Sequence, residues 1–465
     1  MKVSYWIAAP GLAAAAALAF IPIDGLAVEP ARTGALALAT VVLFATGVLP
    51  EFISAILFFA VAMLFALAPA EVVFAGFKSA GFWMVFGGLV IGAGVRSTGL
   101  AERLAHYVRH RFGNRYGGII AGLMVMGVVM AFLMPSTLGR LMILMPIVLA
   151  MAESFGYGPG SNGRTGMVLA ISFGTMIPGF AIMSATVPAM VIIGAAETLY
   201  DIRPIYGTWL LLHFPVLGFL KAIAIGVLVV WLFPEGDAKI SEGDAPSTEK
   251  KSESPAAMAR RERTMTALLL LALALWMTDF VHHISPSWVA LGVAAVMILP
   301  FVGIVSAQDI EEKVKFGSLF YVAGVLGLGA LVAHGGVGDL LAQSVIPLLN
   351  LAPGDSAWNF AAIAGMSSAL AMFATQPGVP AILAPLASHL AEATALPVEA
   401  VLMLTVVGYT TVILPYQTPP LVIAMHLGGV PMRQGNKLCL WLLLVTALIL
   451  LPLDYAWWRL LGWLP

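Results

Sequence analysis

From Tyr116 to Gly139 the chain runs 24 residues without a charge, and then Arg140 interrupts before the sequence turns apolar again: "FLMPSTLGRLMILMPIVLAMA", residues 132–152. An uncharged run of this length is membrane-spanning material. An arginine inside hydrocarbon costs a few kcal/mol, so it must face protein or a wet cavity, and it marks a functional site. The rest of the chain is of the same kind. It is 60% hydrophobic and 10% charged over 465 residues, with a mean hydropathy of +0.97, the composition of a polytopic all-α membrane protein whose helices face lipid or other apolar helices.

Candidate spans lie at roughly 6–23, 33–49, 53–69, 81–97, 166–195, 208–232, 264–282, 287–303, 316–333, 398–428 and 438–458, about eleven transmembrane helices. Two further apolar regions, 117–153 and 357–390, fit no whole number of spans. The first run, after Lys2, reads as a transmembrane helix rather than a signal peptide because more spans follow at once. Arginine and lysine place the N-terminus inside, since Arg96, Arg103, Arg109, Arg111, Arg115, Arg164, Lys313, Lys315, Arg433 and Lys437 then share the cytoplasmic side. Net charge is −1, so nothing points to a nucleic-acid partner. The single cysteine, Cys439, excludes an intrachain disulfide and a cysteine metal cluster.

The polar, mixed-charge segment 233–262 reads as a cytoplasmic linker between two halves. "VFGGLVIGAGVRSTGLAERL" (85–104) matches "VAGVLGLGALVAHGGVGDLL" (322–341) at a constant offset that pairs Gly87 with Gly324, Gly92 with Gly329 and Gly99 with Gly336. The topology runs one copy outward-to-inward and the other inward-to-outward. That is an inverted repeat, as secondary transporters have. The expected parts are a scaffold (1–116) and a transport segment (117–232) in the first half, then a scaffold (263–350) and a transport segment (351–465) in the second.

Region 117–153 makes sense as a re-entrant hairpin. After Arg140, residues 141–152 supply only about 18 Å of uncharged helix, and Pro135–Gly139 would form the tip. The second half has its counterpart at Thr375-Gln376-Pro377-Gly378, and Pro385 follows Thr375 at the spacing by which Pro146 follows Ser136. Two broken helices complete the set: "GTMIPGFAIMSATVP" (174–188), interrupted by Pro178, Gly179 and Pro188, and "ILPYQTPPLVIAM" (413–425), interrupted by Pro415, Pro419 and Pro420. Unwound backbone offers carbonyls to cations and helix N-termini to anions. The planar fork of Arg140 suits a carboxylate, sulfonate or sulfate. No carboxylate is expected at the core of a span, which leaves His213, His389 and His426 as intramembrane titratable groups.

On the stretches "FAGFKSAGFWMVFGGLVIGAGVRSTGLAERLAHYVRHRFG" (74–113) and "LPYQTPP" (414–420), the chain resembles the divalent-anion/sodium symporter family over nearly its whole length. The resemblance implies an elevator-type homodimer, with the scaffold at the dimer interface and the hairpins and broken helices carrying a small anion. It implies substrate contacts from Ser136, Thr137, Arg140, Thr186, Thr375, Gln376, Thr418 and Pro419. Ser136, Thr137, Thr375 and Gln376 would also serve sodium as coupling ion. Family tips read Ser-Asn-Thr, whereas here they read Ser136-Thr137-Leu138 and Thr375-Gln376-Pro377, and Arg140 falls where antiporter members carry arginine.

The expected function is secondary transport of a dicarboxylate, sulfate or sulfonate across a bacterial cytoplasmic membrane by cation coupling. Anion exchange, a cation/proton antiporter and an arsenite-type efflux permease are the alternatives. A membrane enzyme would place acidic, His or Cys clusters at the loops, and "HHIS" (282–285) comes closest without forming one. A cysteine introduced into 233–262 is expected to react with a membrane-impermeant thiol reagent only from the cytoplasmic face; labelling of intact cells would reverse the topology.

Overall fold

The computed structural model describes residues 2–21, 27–100, 115–237, 255–374, 376 and 378–465, and their regular structure is entirely helical. The first half contains α1 (Lys2–Phe20), α2 (Val28–Thr46), α3 (Glu51–Leu64) and α4 (Ala80–Thr98). Next come α5 (Tyr116–Leu133) and α6 (Thr137–Ser154), then α7 (Asn162–Phe180) and α8 (Val187–Tyr200). The half closes with α9 (Tyr206–Leu232), whose middle, Phe214–Leu220, is a π-helical turn. The second half follows the same order. It contains α10 (Pro255–Met277), α11 (Pro286–Ile298), α12 (Phe316–His334), α13 (Val337–Leu349) and α14 (Ser356–Leu370). After these come α15 (Gly378–Thr394), α16 (Val398–Tyr409), α17 (Pro419–Gly428) and α18 (Met432–Leu460), the last with a π-helical turn at Thr446–Leu450.

Among the described residues seven helices are long and apolar enough to cross a bilayer, or eight if α15 and α16, bent by 115°, count together. The expected eleven is therefore not reproduced by length alone. Spans drawn as single runs at 166–195 and 398–428 are each two helices, and α3 and α11 stop short of the runs that contain them. The apolar region 117–153 is helix, break, helix as expected. The second helix, α6, begins at Thr137 and carries Arg140 in its first turn, where the returning arm was expected to start, but at 18 residues it is long and apolar enough to cross a bilayer. The amphipathic arm around Arg103, Arg109 and Arg111, and most of the 233–262 linker, lie outside the described residues.

The offset repeat reappears as packing. A methyl on Gly87 would lie 2.7 Å from the Ala290 carbonyl carbon of α11, and one on its counterpart Gly324 would lie 2.6 Å from Cβ of Ala55 in α3. Thus α4 packs on α11 and α12 packs on α3, each helix crossing to the other half. Gly92 faces Met134 at the α5–α6 break, while Gly329 faces Ala381 and Pro385 of α15. Gly99 and Gly336 both adopt left-handed φ, 71° and 69°, which glycine alone enters at no steric cost.

The remaining helices repeat this exchange. α5 lies along α7 as α14 lies along α16, and α6 packs on α17 as α15 packs on α8. α7 stands at the centre, with every residue from Thr165 to Phe180 buried. Its contact with α5 is backbone to backbone: a methyl on Gly127 would come within 2.7 Å of the Gly174 carbonyl carbon.

Gly127→Val should therefore force α5 off α7 and cost about 1–3 kcal/mol, the usual penalty of overpacking. A thermal melt in detergent checks this against Gly117→Val, whose added carbons meet open space and should leave the melting temperature near that of the parent.

Candidate functional site

The first break forms where Pro135 removes an amide and pushes Met134 out of the helical region, to φ −135° and ψ 111°. Ser136 then caps α6, its hydroxyl accepting a hydrogen bond from the Gly139 amide at 3.1 Å. In α7, Pro178 and Gly179 do not form the break; they sit in the last helical turn, and the chain unwinds over 181–186 instead. A proline deprives the turn behind it of one amide donor. In that turn the Thr175 carbonyl takes a donor from elsewhere, the Arg140 guanidinium.

Arg140 is completely buried. Its Nε donates to the Thr175 hydroxyl at 2.8 Å, and its Nη2 to the Thr175 carbonyl at 2.9 Å and to the Thr137 hydroxyl at 3.1 Å. Its Nη1 donates to the Ala185 carbonyl at 3.0 Å and to the Met134 carbonyl. All these acceptors are neutral, so the positive charge is solvated by protein dipoles without being cancelled. The arginine ties the tip, the end of α7 and the 181–186 turn into one unit, and its fork is engaged by protein. Room for it exists because residue 179 is a glycine. A methyl on Gly179 would lie 3.0 Å from Nη2 of Arg140, and one on Gly139 would lie 3.0 Å from Nη1 of a second arginine, Arg96.

In the second half Gln376 donates from Nε2 to the Tyr409 carbonyl at the end of α16, at 3.1 Å. The next carbonyl, that of Thr410, accepts from Lys221 Nζ at 3.0 Å. Gln417 binds the amides of Ile413 and Leu414 through Oε1, and Thr418 donates to the Pro415 carbonyl. Thr418 is also the N-cap position of α17, with Pro419 the first helical residue. The rings of Phe180 and Tyr409 meet edge-on, 5.7 Å apart, and join the two breaks.

Ser136, Thr137, Arg140 and Thr186 thus gather at the first break, while Gln376 bonds to the end of α16 and Thr418 and Pro419 stand at the start of α17, on the two sides of the second break. Thr375 and Pro377 lie outside the described residues. Sequence reasoning missed Thr175, Arg96, Gln417 and Lys221. Lys221, a lone lysine in an apolar run, carried the same signal as Arg140. Of the histidines, His213 is buried, while His426 is exposed and His389 lies 2.9 Å from Asp339.

The arrangement favours anions. Thr186 and Thr418 head α8 and α17 without a side-chain cap, so the positive end of each helix dipole is not offset by a capping oxygen; α17 itself opens with Pro419 and Pro420, and its Leu421 and Val422 amides donate to the Thr418 carbonyl. The hydroxyls of Thr186 and Thr411 and the amide nitrogen of Gln417 are buried without a protein partner among the described residues. A sodium ion fits the first tip poorly. It would sit beside a guanidinium and compete for the Met134, Thr175 and Ala185 carbonyls that Arg140 already holds.

Over most of its length the chain is similar to known membrane transporters. The family described as "Sodium:sulfate symporter transmembrane region" matches residues 2–464. The chain is 24% identical to the L-tartrate/succinate antiporter of Escherichia coli K12 over 409 residues, 81% of this chain and 80% of that one. It is 22% identical to a membrane protein of Cupriavidus necator over 399 residues, 84% of this chain and 76% of that one. Among solved structures, the YdaH transporter of Alcanivorax borkumensis superposes with a TM-score of 0.57 at 16% identity, covering 85% of this chain and 88% of that one. At that identity the likeness concerns the fold.

Because Arg140 bonds only to protein, Arg140→Ala should strand three buried carbonyls and lower stability by about 3 kcal/mol or more. Arg140→Lys, which keeps the charge but loses the planar fork, should recover part of it. Thermal melts of the two variants check the order; an unshifted Arg140→Ala would remove the clamp.

Proposed function

The chain belongs to the sodium:sulfate symporter transmembrane family, an integral membrane transporter and not an enzyme, and from that membership we propose that it exchanges small dicarboxylates across a bacterial cytoplasmic membrane. The observation that carries the reading is Arg140. A sodium-coupled site needs several oxygen ligands at the tip, and here a resident cation holds those carbonyls. With a fixed charge in place of a mobile one, the carrier has no coupling ion to gather at this site, and an anion neutralises the site on each crossing.

The dianion would lie between the two breaks, facing the N-termini of α8 and α17 and the free donors of Thr186, Thr411 and Gln417. Ser136, Thr137, Thr375 and Gln376 shape the tips around it. The name of the E. coli relative supports tartrate and succinate as the first substrates to try. Residues 117–232 and 351–465 would move as one block against the scaffold of a homodimer, an elevator motion with the N-terminus inside.

The test is uptake of labelled succinate or tartrate into proteoliposomes. Vesicles preloaded with unlabelled dicarboxylate should take up label several-fold faster than empty ones, and replacing sodium by potassium should leave the rate unchanged. Uptake into empty vesicles driven by an inward sodium gradient would overturn exchange in favour of symport.

A further inference from the structure

Outside the helix breaks, two charged side chains are completely buried in long helices: Lys221 in α9 and Asp454 in α18. Asp454 corrects the expectation that no carboxylate stands within a span. Each residue follows a π-helical turn, Phe214–Leu220 before Lys221 and Thr446–Leu450 before Asp454, and the two turns pack against each other. A π-helical turn inside an α-helix is rare and frequently marks a functional site. Lys221 reaches the Thr410 carbonyl at the second helix break. Asp454 lies within electrostatic range of Lys221, yet neither of its carboxyl oxygens has a hydrogen-bond partner among the described residues.

An ionised carboxylate in a dry interior is tolerated only when well paired and hydrogen-bonded, and this one is not. Lys221 therefore has two claims on it. With a proton on Asp454, the carboxyl is neutral and the ammonium stays on the Thr410 carbonyl. With Asp454 ionised, the ammonium is drawn from Thr410 towards the carboxylate, and a carbonyl at the break loses its donor.

The other titratable groups on the packed elements are few. His213 lies between the rings of Trp209 and Trp458, and its two ring nitrogens have no protein partner among the described residues. Tyr409 precedes Thr410, with its hydroxyl buried. Tyr455 is hydrogen-bonded to Ser356, Cys439 is buried, and Arg459 is exposed. Lys437 and Tyr116 belong to the far end of α9, where they meet the Leu232 carbonyl and Asp237.

We propose that Asp454 is a proton-binding site linked through Lys221 to the second helix break, so that uptake of one proton from water sets Lys221 on Thr410 and tunes anion exchange to pH. The effect on transport rests on the exchange reading; the proton site itself does not.

Two measurements test it separately. Infrared difference spectra of the purified protein across a pH titration should show a carboxylic C=O band that is absent in Asp454→Asn and present in Asp454→Glu. In proteoliposomes preloaded with succinate, exchange should change about tenfold from mildly acid to mildly alkaline pH, a free-energy difference of one pKa unit. Asp454→Asn and Lys221→Gln should flatten that profile, and Asp454→Glu should restore it. An unaltered band in Asp454→Asn, or a parental pH profile in that variant, would overturn the proposal. A titrating Asp454 band in a protein that exchanges no dicarboxylate would instead sink the exchange reading and leave the proton site standing.

Discussion

The structure turns on one buried guanidinium. In an apolar interior every backbone carbonyl released by a broken helix must find a donor, and the α5–α6 break and the end of α7 release several at once. Arg140 satisfies Met134, Thr175 and Ala185 from a single side chain. A neutral donor could serve one or two of them; only a planar group with several fixed N–H bonds serves three elements together. The local sequence is arranged for it. Ser136 starts α6 so that Arg140 points back at the tip, and Gly179 leaves the space that its Nη2 fills.

That solution has an electrostatic residue. The acceptors are neutral, so the charge persists inside the protein, and the uncapped N-termini of α8 and α17 add positive potential to it. The second break is built differently. Lys221 supplies one hydrogen bond from a flexible arm, with a carboxyl group nearby competing for it. The first break is locked within its own unit, whereas the second is tied to α9 and α18, which carry Lys221 and Asp454. On the proposed linkage, a change of charge at Asp454 would reach the second break by a single bond, Lys221 to the Thr410 carbonyl.

Much of this was legible in the sequence because membrane chains write their constraints in composition. Uncharged runs gave the apolar helices, Pro and Gly gave the breaks, and the shared offset of Gly87, Gly92 and Gly99 with their partners gave the repeat that reappears in packing. What was not legible depended on partners distant in sequence. The break after α7 moved to 181–186 because a helix tolerates Pro178 and Gly179 in its last turn. The donors of Arg140 could not be assigned to protein without knowing that Thr175 and Ala185 lie beside it. Asp454 was overlooked because it sits near the end of its apolar run, where a charge reads as interfacial, and the π-helical turn that precedes it leaves no signature in the sequence.

The same glycine pattern bears on how a carrier of this shape would move. Where α4 and α12 meet the helix breaks and α8, most contacts are smooth and apolar, with Gly81 against the Met190 backbone, Gly88 against Pro135, Gly92 against Met134, Gly194 against Leu326 and Gly329 against Ala381, while Arg96 of α4 lies against Gly139. The hydrogen bond from the Ala80 amide to Glu197 lies at one end of this surface. The strong bonds of Arg140 instead lie wholly on one side of it. Sliding along such a surface exchanges one set of dispersion contacts for another of similar depth and breaks few directional bonds. A hinge through the Arg140 cluster would have to break several. The distribution of hydrogen bonds thus favours rigid-body displacement of the hairpin block over bending within it, which is the motion the proposed elevator requires.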